Sequence, residues 1–116
     1  MACSYADIEQ DHTFLADLRQ LTEQYGALLI FDEIVTGFRL SLGGAQEYFS
    51  VKPDLAVFAK GISNGVPLSC DVGRADVMDI VEKVVISSTF GGDTLGLAAA
   101  KAVLEVYENE NVIKTL

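Results

Sequence analysis

The 116-residue sequence has few cysteines, few basic residues and no long apolar run, and each shortage excludes a class of protein. Its two cysteines, Cys3 and Cys70, are too few for a disulfide framework and lack the spacing of metal ligands. No window reaches the roughly 18 uninterrupted apolar residues of a membrane helix. Residues 1–10 lack the basic and apolar regions of a secretion signal. We therefore expect a cytoplasmic protein with reduced thiols and no membrane partner.

Basic residues are outnumbered by acidic ones. Eight Lys and Arg residues stand against 17 Asp and Glu, which gives a formal net charge of −9. The basic residues are dispersed, whereas nucleic-acid binding requires a basic patch. The sequence therefore predicts no nucleic-acid partner, and an anionic ligand would have to be bound by local features acting against the overall charge.

Helical and strand patterns alternate along the chain. Half of the residues are hydrophobic and the mean hydropathy is +0.31, which is enough for the core of one domain. We predict helices over residues 14–25, 46–49 and 77–81 and another after Asp93, and strands over residues 27–32, 55–59, 68–72 and 84–86. This alternation is typical of an α/β fold with a largely parallel sheet flanked by helices. The final helix is expected to pack through an apolar stripe formed by Leu95, Ala98, Ala99, Ala102, Val103 and Val106.

The stretch Leu28–Arg39 is central to the functional prediction. Four apolar residues, typical of a strand buried on both faces, end in Asp32 and Glu33. Ligands of open α/β sheets bind beyond the carboxyl ends of the strands, so we expect both carboxylates to face a site. The same pattern occurs in P-loop ATPases, but the sequence lacks the G-x-x-x-x-G-K-[ST] loop that those proteins require. If the motif is considered on its own, the alternative is that Asp32 and Glu33 are acids at a strand end that only contact solvent.

Two further features, Lys60 and the loop Ser87–Gly92, carry groups that could bind a ligand together with these carboxylates. Lys60 ends the second apolar run, either as a solvated strand terminus or as an amine able to form a Schiff base. The loop Ser87–Gly92 is either a simple connection or a phosphate site, because its hydroxyls and backbone N–H groups precede a helix. A carboxylate, a lysine and an anion-binding loop together are the requirements of a pyridoxal phosphate site.

The order and spacing of several motifs resemble the class III aminotransferases, which are fold type I pyridoxal phosphate enzymes. The motifs are Leu28–Arg39, Gly43–Glu47, Pro53–Leu55, Ala59–Gly61, Pro67–Leu68 and Ser88–Gly92. The resemblance implies pyridoxal 5′-phosphate as cofactor, amino-group transfer between small-molecule donors and acceptors, and a homodimer in the complete protein. Within the family, the motifs are similar to the glutamate-1-semialdehyde 2,1-aminomutase branch, since many other members carry Gln at the position of Val35.

The same resemblance implies roles for individual residues. Asp32 would be the partner of the pyridine nitrogen and Lys60 the Schiff-base lysine, while Ile34 would pack on one face of the ring. Thr89 would reach the cofactor phosphate of the neighbouring subunit. Glu33 is expected to orient the site.

For Arg39, a structural ion pair is favoured over a carboxylate clamp.

Family members are much longer chains, so residues 1–116 are expected to be part of the pyridoxal phosphate-binding large domain. The family's N-terminal part and C-terminal small domain would then be absent. The alternative is a catalytically inactive fragment with a structural or interaction role.

Overall fold

A computed structural model describes residues 13–86 and 88–116, which form an α/β structure around a three-stranded sheet. The helices are α1 (Phe14–Gln24), α2 (Ala45–Tyr48), α3 (Ala75–Met78), α4 (Thr94–Asn109) and α5 (Val112–Thr115), the strands are β1 (Ile30–Asp32), β2 (Leu55–Phe58) and β3 (Cys70–Gly73), and 3₁₀ turns cover Lys60–Ile62 and Asp79–Lys83. The α/β class is confirmed. None of the helices in these two ranges is long and apolar enough to cross a bilayer.

The sheet has the order β1-β2-β3 and is mixed. Strands β1 and β2 are parallel, with Ile30 opposite Leu55 and Asp32 opposite Val57. Strands β2 and β3 are antiparallel, with Leu55 opposite Gly73. The expectation of a largely parallel sheet is therefore correct for one of these two pairings. A parallel crossover needs a dozen or more residues, usually with a helix, whereas the β2–β3 connection holds only a 3₁₀ turn.

The core lies on one face of the sheet. Its buried apolar residues are Leu15, Leu29, Phe31, Val51, Ala56 and Phe58. Successive side chains of a strand point to opposite faces, so Phe31 enters this core while Ile30, 57% exposed, points away from it. The prediction that β1 is buried on both faces is wrong for the described residues, because none of their elements covers the face of Ile30.

Asp54 joins three elements at the start of β2. The residue is only 3% exposed, and its carboxylate accepts hydrogen bonds from the Leu29 amide, from Arg19 and from Arg74, each at 2.8 Å. The Leu29 amide, followed by the Arg74 and Arg19 guanidinium groups, holds the pKa of the Asp54 carboxyl well below its usual range. Arg19 of α1 is directed at this carboxylate and is mostly buried.

Helix α4 begins as predicted, and its inward face matches the predicted stripe only in part. The Asp93 carboxylate caps it by accepting a hydrogen bond from the Gly96 amide at 3.1 Å. Leu95 is 68% exposed, and the residues that turn inward are Gly96, Ala99, Ala100, Val103 and Tyr107, of which Ala99 and Val103 belong to the predicted stripe. The shift follows from Gly96, where an added Cβ would lie 3.3 Å from the Leu68 side chain, so the helix approaches closely on that side.

Residues 84–86 form no strand, contrary to the prediction. They pair with no strand of the described chain, and Val85 is 97% exposed. An apolar β-branched run favours a strand only where a neighbouring strand can complete its hydrogen bonds. The preceding residues do form the predicted short helix, as α3 followed by the 3₁₀ turn Asp79–Lys83.

Candidate active site

Asp32 and Lys60 line the same cleft. Asp32 ends β1, and Lys60 follows the end of the parallel neighbour β2. Because the carboxyl ends of parallel strands meet at one edge of a sheet, both side chains reach that edge. A cleft of about 460 Å³ lies there, and its walls include Asp32, Ile34 and Lys60. The structure thus brings together three of the four residues that the sequence assigns to a cofactor.

Asp32 offers a carboxylate oxygen to the cleft. Its side chain is exposed, and Oδ1 accepts a hydrogen bond from the Ile34 amide at 3.0 Å. This local turn between side chain and backbone fixes the orientation of the carboxylate. No group of the described residues donates to Oδ2, so that oxygen can accept a bond from a protonated ligand nitrogen.

Lys60 has a backbone conformation that is uncommon for a residue with a side chain. Its φ is +48°, directly after the extended residue Ala59, and it begins the 3₁₀ turn. The turn is closed by the Asn64 amide, which donates to the Lys60 carbonyl at 3.0 Å. Left-handed conformations cost roughly 1–3 kcal/mol and concentrate at functional sites. The exposed amine forms no ion pair with a described residue, and it lies between the first cleft and a second of about 800 Å³.

Glu33 has a different role from its neighbour. It is 1% exposed, and its carboxylate accepts hydrogen bonds from the Ala45 and Gln46 amides, at 2.8 and 2.9 Å, and from the Thr36 hydroxyl. Glu33 lines the first cleft, but these donors occupy its carboxylate, which caps the N-terminus of α2, so the prediction that both carboxylates face the site is wrong for Glu33. Gly44 is required beside it, because a Cβ there would lie 2.5 Å from the Glu33 carboxylate. Glu33 thus fixes the loop that follows β1.

Arg39 and Thr89 lie outside the first cleft. Arg39 is exposed on the wall of the second cleft, and the expected structural ion pair is not formed with any residue in the described ranges. Thr89 is exposed in the turn before α4, and Ser87 of the same loop lies outside the described residues. Asp93 already places a carboxylate at the N-terminus of α4, so a phosphate bound by this loop would depend on Thr89 and its nearest backbone amides.

Sequence reasoning missed Asp54 and Tyr107. Asp54 is preceded by Pro53 and followed by an apolar strand, a pattern that marks a turn but gives no sign of two arginine partners. The Tyr107 hydroxyl donates to the backbone carbonyl of Phe38, 69 positions away. No local sequence signal could predict this contact.

The residues of the first cleft fit pyridoxal 5′-phosphate. Ligand pockets of drug-sized molecules have volumes of about 300–1,000 Å³ and combine apolar walls with a few placed polar groups. Here the Lys60 amine suits the aldehyde of the cofactor, the Asp32 carboxylate suits its ring nitrogen, and Ile34 supplies an apolar side chain for a ring face. The chemistry of the donor set therefore matches this group.

Curated relatives match most of the chain. The chain is 45% identical over 111 residues to the glutamate-1-semialdehyde 2,1-aminomutase of Pyrobaculum neutrophilum, a match that covers 93% of this chain and 26% of the relative. It is 44% identical over 101 residues to the 3-aminobutyryl-CoA aminotransferase of Cloacimonas acidaminovorans, covering 86% of this chain and 24% of that protein. The chain thus spans about a quarter of the length of the curated relatives it matches.

The fold of the chain is similar to that of several solved structures. The S-selective transaminase of Arthrobacter sp. superposes with a TM-score of 0.79 at 28% identity, covering 88% of this chain and 23% of that one. The pyridoxal phosphate internal aldimine form of FumI from Sphingopyxis sp. MTA144 superposes with a TM-score of 0.84 at 25% identity, covering 90% and 25%. The sequence profile of the family Aminotransferase class-III matches residues 6–116. The chain therefore belongs to the class III aminotransferases, a family of fold type I enzymes that depend on pyridoxal 5′-phosphate.

Proposed function

We propose that the protein containing this chain transfers an amino group with pyridoxal 5′-phosphate as cofactor, and that residues 1–116 form part of its cofactor-binding large domain. The observation that carries the proposal is the parallel register of β1 and β2, which places the Asp32 carboxylate and the Lys60 amine on one cleft. The aminomutase and aminotransferase names of the relatives support the reaction class.

The proposed roles follow from the chemistry of each side chain. When bound, the cofactor supplies an electron-withdrawing ring that makes a substrate carbon acidic. Lys60 holds the cofactor through Nζ and, once released, carries a proton at Nζ to and from that carbon. Asp32 keeps the ring nitrogen protonated through its free oxygen, and Ile34 excludes water from one face of the ring.

We propose small amino compounds as donors and acceptors, with a glutamate-1-semialdehyde-type substrate as the first to test. Two observations support this choice: the aminomutase relatives at 40–45% identity, and Val35 in place of the glutamine carried by many other family members.

We further propose a homodimer in which Thr89 serves the cofactor phosphate of the neighbouring subunit. Its position outside the cleft of its own chain supports that arrangement. A cytoplasmic location is proposed from the sparse cysteine content of the sequence.

Borohydride trapping tests the proposal. The protein containing this chain is incubated with pyridoxal 5′-phosphate, reduced with borohydride, digested and mapped by mass spectrometry. We expect the reduced adduct on Lys60. A Lys52→Arg variant serves as the matched control and should retain the Lys60 adduct, because Lys52 lies outside the first cleft. Specific labelling of Lys52 or Lys83 would overturn the assignment, and the absence of any cofactor absorbance would favour the catalytically inactive alternative.

A further inference from the structure

Tyr107 of α4 reaches the turn that follows β1. Its hydroxyl donates a hydrogen bond to the backbone carbonyl of Phe38. The Phe38 ring lies edge-on to the Tyr107 ring, with centroids 5.9 Å apart, and edge-on to the Phe58 ring at 5.8 Å. Such pairs add to the stability gained from burial. A row of three rings therefore joins α4, the turn after β1 and strand β2.

Phe38 needs these contacts to keep its conformation. Its φ is +61°, in the left-handed region that favours glycine. The close fit extends to Gly37, where an added Cβ would lie 2.4 Å from the Phe58 ring. A strained backbone of this kind persists only where its surroundings hold it in place. Tyr107 supplies both a ring contact and the bond to the carbonyl.

The same turn packs against the backbone that carries Lys60. An added Cβ on Gly61 would lie 3.1 Å from Phe38 Cβ and 3.3 Å from the Gly37 carbonyl oxygen. Lys60 is itself left-handed, so two strained segments are in direct contact. Tyr107, Phe38, Lys60 and Gly61 also line the second cleft together. A displacement of Phe38 would therefore be transmitted to the Lys60–Gly61 backbone.

We propose that Tyr107 is a positioning residue for the Lys60 amine and acts through Phe38. The inference rests on the proposed function, because it assigns a purpose to the orientation of Lys60. Tyr107 lies outside the first cleft, and the bond from its hydroxyl to Phe38 gives its effect a route to the Lys60–Gly61 backbone.

The test compares the reactivity of Lys60 with that of Lys52 in the same molecule. The protein containing this chain is treated with pyridoxal 5′-phosphate for short times and reduced, and the two labelling rates are measured by mass spectrometry. Tyr107→Phe keeps the ring and removes the hydroxyl bond, so we expect the Lys60/Lys52 ratio to fall by roughly three- to tenfold. Tyr48→Phe is the matched control, because the Tyr48 hydroxyl bonds to no described residue, and it should leave the ratio unchanged.

The outcomes separate positioning from general stability. A role in stability alone would lower the melting temperature and leave the ratio in the folded protein unchanged, which would overturn the inference. If Tyr107→Phe folds poorly, Gly61→Ala tests the same contact from the other side and should also lower the ratio. An unchanged ratio in that variant would overturn the inference as well. The absence of a Lys60 adduct in the unaltered protein would instead refute the proposed function.

Discussion

Asp54 offers a direct test of how the fold creates the site. Its carboxylate bonds to the Leu29 amide, and its own amide donates to the Leu29 carbonyl at 2.8 Å, so it fixes the register of β1 beside β2. Replacement by Ala removes a charge-assisted bond to a buried amide, worth about 1.5–3 kcal/mol. It also removes one partner of the mostly buried Arg19, which keeps its contact with Glu23, while Arg74 keeps its contact with Asp76. We expect Asp54→Ala to lower the free energy of unfolding by roughly 1.5–3 kcal/mol, because each arginine keeps a second carboxylate partner.

The pH dependence has a definite sign. The pKa of Asp54 is held well below its usual range in the folded state, so the unfolded chain takes up the proton first as the pH falls. The stabilisation is therefore complete above about pH 5 and is lost as the pH drops below roughly 4, the pKa of an unfolded aspartate. Asp54→Asn cannot titrate, so the difference in stability between it and the unaltered protein should shrink in acid.

Urea unfolding of the protein containing this chain, at pH 7 and at pH 3, measures both effects. Hydrogen exchange at the Leu29 amide reports the local contribution. Asp76→Ala is the control, because Asp76 is exposed and contacts Arg74 at the surface, and it should change stability little. A loss of less than about 1 kcal/mol for Asp54→Ala at pH 7, or an equal difference for Asp54→Asn at both pH values, would show that Asp54 does not hold the two strands together in this way.

Two further predictions concern the proposed site. Asp32→Asn should lower kcat far more than cofactor affinity, measured by steady-state kinetics and by titration of the cofactor absorbance, because the neutral amide no longer favours a protonated ring nitrogen. Equal losses would make Asp32 only an anchor. Mixing two inactive variants, Lys60→Ala and Thr89→Ala, should partly restore activity, because one site of the mixed dimer carries both defects and the other carries neither. No recovery in proven heterodimers would place Thr89 in the site of its own subunit or outside any site.

The sequence predicted the elements that carry the site because their signals are local. A short apolar run that ends in a polar residue gave β1 and β2, and a polar residue before a helical stripe gave the start of α4. The juxtaposition of Asp32 and Lys60 then followed from a general property of parallel strands, whose carboxyl ends share an edge. Asp32 and Lys60 therefore meet at the edge of the sheet where the two predicted strands end.

The wrong predictions all concern contacts between distant residues. The inward face of α4 is set by Gly96, which approaches Leu68, and a hydrophobic stripe gives no information on such a close contact. Val85 has the side chain of a strand residue but has no neighbouring strand in the described chain. The burial of Glu33 depends on amides 12 and 13 positions further along. Tertiary contacts of this kind decide between conformations that local propensity leaves open.

The stretch from Asp32 to Arg39 is held from two sides, and this explains how one short loop can place a ligand-binding carboxylate. On one side the buried Glu33 carboxylate ties the loop to the N-terminus of α2. On the other side Phe38 is fixed between Phe58 and Tyr107. Asp32 lies next to the first of these anchor residues, and the turn that carries Lys60 packs on the second. The acid and the amine are thus positioned by the same loop, so a change at either anchor should alter the geometry between them and not only the stability of the fold.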